Sequence, residues 1–130
     1  MLSNSEIAVF CEQSGMILES GLSMLEGISI MEADVEPQNT EYKRIYADIR
    51  TCLEETGIFY EALQKAGVFP DYVIQMAKLG EETGNLDVTM KGLAAYYERE
   101  ENTIQDIRSA ISRRGIFRQT KSARSAEKCC

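Results

Sequence analysis

The sequence contains no histidine and no tryptophan, only two prolines, and no apolar run approaching about 18 residues. Without His, the commonest general base and zinc ligand is missing, so neither the usual catalytic triad nor a Cys2His2 site can be assembled. A ferritin-like di-iron bundle, which needs Glu-x-x-His pairs, is excluded for the same reason, although carboxylates cluster at Glu54-Glu55, Glu81-Glu82 and Glu98-Glu100-Glu101. The missing apolar run excludes a transmembrane helix within these residues. There is no Cys-x-x-Cys: Cys129 and Cys130 are adjacent, too close for an ordinary structural bridge, and Cys11 and Cys52 fall inside helical patterns. Cys11 reads as a small buried hydrophobe. With no secretory signal peptide, a reduced, cytosolic setting is expected. P-loop and dinucleotide fingerprints are absent. A calcium loop counted from Glu81 fails, because its sixth position is Leu86 and its twelfth is Gly92. These absences point away from an enzyme, and no cofactor or metal is expected.

What is present is an ordinary globular composition: 130 residues, 44% hydrophobic and 27% charged, enough for one self-supporting domain. The net charge of −7 is unevenly spread. Residues 1–112 carry 8 Lys+Arg against 20 Asp+Glu, a net −12, whereas residues 113–130 carry six basic residues against Glu127 alone. An acidic body repels phosphate backbones, so no nucleic-acid partner is expected.

Helical spacing recurs along the chain, and strand alternation is not found. Ile7, Phe10, Cys11, Ser14, Ile17 and Leu18 line one face of a first helix, with Asn4 or Ser5 as its N-cap and Gly21 as its stop. Leu22, Leu25, Ile28 and Met31 predict a second helix, ending before Pro37. Tyr42, Ile45, Tyr46, Ile49, Cys52 and Leu53 form a third, closed by Gly57. Ile58, Phe59, Ala62 and Leu63 give a short fourth, ended by Gly67. A fifth starts near Pro70, with Tyr72, Val73, Met76, Ala77 and Gly80 inward and Gly84 as its left-handed end. Asn85 is placed to cap a long sixth helix over residues 86–111, whose stripe is Leu86, Met90, Leu93, Tyr97, Ile104, Ile107 and Ile111, broken only by Glu100. The expected fold is all-α: a single-domain, antiparallel six-helix bundle over residues 5–112.

Four motifs then occur in order. Residues 10–27 hold Phe10, Gln13, a leucine-containing stretch, the turn Ser20-Gly21 and Leu22-Ser23-Met24-Leu25. Gly57 precedes Phe59, Ala62 and Leu63. Phe69-Pro70-Asp71-Tyr72-Val73 follows, and then Gly80-Glu81-Glu82-Thr83-Gly84-Asn85-Leu86. This series resembles the protein F domain of type II secretion systems, including its signature Gly-Glu-x-[Ser/Thr]-Gly-x-Leu. The resemblance covers residues 7–111. The motif positions it marks are Phe10, Gln13, Gly21, Leu22, Gly57, Phe69, Pro70, Gly80, Glu81, Thr83, Gly84 and Leu86. In physical terms Gly80 reads as a close packing point between helices, and Thr83 can bond the local backbone. Glu81 has two readings: a carboxylate that is solvated or bonds backbone amides near the start of the sixth helix, or a contact to a partner or ion.

The resemblance implies a cytoplasmic adaptor domain of the inner-membrane platform of type II secretion or type IV pilus assembly. Such a domain would couple an assembly ATPase to pilin or pseudopilin polymerisation. Implied partners are that ATPase, other platform subunits and pilin-like proteins, with a homo-oligomer left open and the membrane reached only through spans missing from this chain. The leucine-rich opening inclines toward the first of the family's two domain copies. The family pattern breaks after Ser112, where Arg113-Arg114-Gly115 opens a polar, basic stretch. Residues 113–130 read as a disordered tail left by truncation, frame-shift or cloning, with a basic anchor to anionic lipid as the natural alternative. The rival reading of the whole chain is a freestanding helical protein–protein interaction domain of regulatory type.

Overall fold

A computed structural model describes residues 1–116, with side chains through residue 103. Residues 117–130 of the expected tail 113–130, with Cys129 and Cys130, and the side chains of the stripe positions Ile104, Ile107 and Ile111 lie outside what is described. The order is α1 (Asn4–Glu19), α2 (Met24–Asp34), α3 (Thr40–Thr56), α4 (Phe59–Ala66), α5 (Asp71–Thr83) and α6 (Leu86–Ile116). The all-helical bundle is as expected, with no strand among the described residues.

The helix starts are set by short-range side-chain chemistry. Ser3, not Asn4 or Ser5, caps α1. Its hydroxyl accepts the Glu6 N–H at 3.1 Å while its own N–H donates to Glu6 Oε1 at 2.9 Å, so a reciprocal box satisfies two end amides. Ser23 and Glu26 repeat the arrangement at α2 with the same distances. Leu22 therefore lies in the turn before α2 rather than in the helix, which begins at Met24. Asn39 Oδ1 caps α3 by accepting the Tyr42 N–H at 3.3 Å. The ends of α3, α4 and α5 are closed by Gly57, Gly67 and Gly84, all left-handed. α6 continues as a helix through Arg113–Ile116, beyond the predicted end at 111 and across the proposed boundary at 112.

Each helix packs on its chain neighbours, and α6 returns to α1, so the six form a closed ring whose broadest interface is α1 on α6. That pair is antiparallel: Gly15 near the end of α1 abuts Asp87 and Lys91 at the start of α6, and Lys91 Nζ reaches Glu19 at 3.0 Å. The enclosed core includes Ile7, Cys11, Ile28, Ile45, Ile49, Phe59, Leu63, Val73 and Met90, each essentially sealed from water. Ser14 is sealed with them, and its hydroxyl has no hydrogen-bond partner. On α5 the inward face is Val73, Ile74, Ala77 and Gly80, whereas Tyr72, predicted to face inward, is exposed and Met76 is half-buried. α5 touches α4 on one side and α6 on the other, which turns its buried face toward Ile74.

Candidate functional site

The family-like positions are spread through the fold, and most serve its construction. Phe10 is the hub of an aromatic cluster, with ring centroids 4.8 Å from Phe69, 6.2 Å from Tyr46 and 6.3 Å from Phe59. The first motif and the Phe-Pro step thus meet in the core. Pro70 precedes the first residue of α5, where its fixed φ of −64° suits a helix entry and its missing N–H costs nothing. Gly21, with φ of 93°, turns the chain from α1 toward α2. Leu22 and Leu86 are half-buried at helix entries.

The Gly80–Leu86 signature joins three helices. A Cβ built on Gly80 would lie 2.6 Å from Thr89 Oγ1 and 3.2 Å from the Leu86 Cα, so only glycine lets α5 and α6 approach this closely. Thr83 Oγ1 donates to the Leu79 carbonyl at 2.9 Å, one turn back on the same helix. Gly84 has φ of 76°, and the Asn85 N–H donates to the Gly80 carbonyl at 2.8 Å, which closes the turn. The Asn85 side-chain amide points back to Thr83, while its carbonyl accepts the Thr89 N–H at 2.9 Å.

Glu81 bonds backbone amides, as one of its two sequence readings had it, but at the start of α4 rather than of α6. Its two oxygens accept the N–H groups of Phe59 at 2.6 Å and Tyr60 at 2.9 Å. The carboxylate therefore caps α4, not α6, and supplies the cap that Ile58 cannot, since Ile58 has no oxygen in its side chain. A negative charge at this helix start is also favoured by the α4 dipole. The second motif and the fourth are in this way tied together by one side chain. Only the general expectation of amide bonding was readable, because the partner lies 22 residues away in sequence.

Gln13 is a motif position that faces out from the middle of a helix. It is exposed on α1 between two hollows, one of 290 Å³ shared with Met31, Asp34 and Tyr42, the other of 540 Å³ shared with Val9, Ala94 and Glu98. Both hollows carry carboxylates, Asp34 and Glu36 in one and Glu12 and Glu98 in the other, whereas several basic side chains elsewhere on the domain are taken up in ion pairs. Arg44 pairs with Asp48 at 2.9 Å, Arg50 bridges Glu32 at 2.7 Å and Glu54 at 3.5 Å, and Lys91 is held by Glu19. Glu12, Glu41 and Glu98 make no ion pair among the described residues. No cluster of three metal-ligating side chains is found among the described residues. The Cys11 thiol is pushed up to about 12 by burial, which leaves it an unreactive core group. No helix among the described residues is long and apolar enough to cross a membrane.

Comparison with known proteins agrees with this arrangement. The family model for the type II secretion system (T2SS), protein F, matches residues 10–113. The type IV pilus assembly protein PilC of Thermus thermophilus is 32% identical over 107 residues, 82% of this chain and 26% of that protein. PilC of Myxococcus xanthus is 27% identical over 112 residues, 85% of this chain and 26% of its own. Type II secretion system protein F of Xanthomonas campestris is 29% identical over 97 residues, 74% of this chain and 24% of its own. The chain thus spans about a quarter of the length of the curated relatives it matches. With its signature residues knitting helices α4, α5 and α6 and a family model matching most of its length, the chain belongs to the type II secretion system protein F family.

Proposed function

We propose that this chain is a cytoplasmic adaptor domain of an inner-membrane platform protein, coupling an assembly ATPase to pilin or pseudopilin polymerisation in type II secretion or type IV pilus biogenesis. The observation that carries the reading is family membership across a ring of helices whose signature residues are spent on holding the scaffold. A rigid body with an exposed acidic surface is suited to binding partners rather than to chemistry, so the domain acts without catalysis of its own. Its partners are the ATPase, other platform subunits and pilin-like proteins, met at the cytoplasmic face of the inner membrane.

The net −12 of residues 1–112 favours basic or amphipathic partner surfaces. Binding of the purified chain to a secretion or pilus assembly ATPase, followed by calorimetry or surface plasmon resonance, should weaken as salt rises past about 0.15 M, where charges more than roughly 8 Å apart are screened. Deleting residues 114–130 should leave binding nearly unchanged. No binding to the ATPase or to the pilin-like subunits would overturn the adaptor role. Binding lost only with the tail would move the contact from the acidic body to the basic stretch.

A further inference from the structure

Glu6, Val9 and Phe10 share one face of α1 and meet Tyr42 and Tyr46, one turn apart on α3, with Phe69 closing the third side from the α4–α5 connection. Between them is an open groove of 240 Å³, several times the ~30 Å³ that one water occupies in the liquid, so it has room for a side chain. Its walls are aromatic. The Tyr42 and Tyr46 centroids are 6.3 Å apart, and Tyr46 and Phe69 flank Phe10. Val9, more than half exposed, forms an apolar lip.

One carboxylate stands at this aromatic groove. Glu6 Oε2 accepts the Tyr42 hydroxyl at 2.5 Å and Oε1 accepts the Ser3 N–H at 2.9 Å, which leaves each oxygen a further lone pair. No Lys or Arg among the described residues pairs with it. The Ser3 backbone N–H, and after it the Tyr42 hydroxyl, hold the Glu6 carboxyl below its ordinary range, so it is charged at neutral pH. Burial first, and then the hydrogen bond to Glu6 and the Glu6 charge, push the Tyr42 phenol upward, so it stays a neutral donor.

A fixed negative charge beside aromatic rings is an arrangement that attracts a cation with a hydrocarbon stem. An anion would meet Glu6, and a purely apolar group would strip water from the carboxylate without replacing it. We propose that this groove is a docking site for a lysine or arginine side chain presented by a partner protein, its methylenes against Val9, Phe10 and Phe69 and its charge between Glu6 and the rings of Tyr42 and Tyr46. That the partner belongs to a secretion or pilus machine rests on the function proposed above; the preference for a cation does not.

The test is an NMR titration of the full ¹⁵N-labelled chain with N-acetyl-arginine amide, N-acetyl-norleucine amide and N-acetyl-glutamate amide, repeated on Glu6→Gln. Glutamine at this position keeps the reciprocal box with Ser3, so the variant loses charge without losing the helix cap. Arginine amide should shift resonances of Glu6, Val9, Tyr42 and Tyr46 together. Norleucine amide should bind about three- to fivefold more weakly, glutamate amide should not bind, and Glu6→Gln should weaken arginine amide by a similar factor. Shifts scattered over the acidic surface, equal binding of the norleucine probe, or no response in the groove would each overturn the site. These outcomes need no ATPase, so failure here leaves the adaptor role standing, and failure of the ATPase to bind leaves the groove's chemistry standing.

Discussion

Gly80 and Gly92 sit in neighbouring helices, and their surroundings are opposite. A methyl at Gly80 would press on Thr89 and on the α6 backbone, whereas a methyl at Gly92 meets nothing within 4 Å. Gly80→Ala should therefore destabilise the domain by about 1–3 kcal/mol, as overpacking does. Gly92→Ala should stabilise it by up to about 1 kcal/mol through helix propensity alone. Thermal or denaturant unfolding of the two variants checks both signs. Ser14 is a third contrast: its sealed, unpartnered hydroxyl makes Ser14→Ala neutral or mildly stabilising in the same assay. At this scale the sequence was partly legible. Ser14 and Cys11 stand at helical spacing within the apolar stripe, and both are buried. Gly80 was legible as a packing point through the signature that contains it, whereas for a glycine outside such a motif contact depends on a second helix, which local spacing does not specify.

Helix ends were more legible than helix starts. Gly57, Gly67 and Gly84 end their helices as read, because a left-handed residue after the last turn is chemistry local to that residue. Gly84→Val should cost about 1 kcal/mol or more and Gly84→Asn much less, a difference that comes only from backbone preference since the space around Gly84 is open. Equal melting points would show that the turn does not rely on this conformation. The starts of α1 and α2 were within reach of the sequence through the Ser-x-x-Glu spacing at Ser3 and Ser23, which outweighs the nearer polar candidates Asn4 and Ser5. The start of α4 was not, because its cap comes from α5. Glu81→Ala should lower stability by about 1–2 kcal/mol and speed hydrogen exchange at the Phe59 and Tyr60 amides, with Glu81→Gln intermediate because it keeps one acceptor. Unchanged exchange at these two amides would mean that solvent can replace the carboxylate.

The fold class of the whole molecule follows from six periodic stripes and short connections, but its closure does not. Ring formation depends on α1 meeting α6 across about 70 residues, and that pairing is visible only in space: Gly15 against Lys91, Glu19 bonded to Lys91, and Val9 sharing a hollow with Ala94 and Glu98. The antiparallel course of the pair also gives the domain a directional response to force. Handles at Ser5 and Asn102 would pull from the same end of the pair, so contacts would separate turn by turn and the helices would peel. Handles at Ser5 and Asp87 would pull from opposite ends, load all the contacts together, and make the helices slide against one another. Single-molecule pulling should record a lower rupture force for the first geometry, and equal forces would mean that another interface yields first. A domain built this way resists tension along its longest seam and releases α1 when pulled across it, so the direction of a load, as well as its size, decides whether the ring opens.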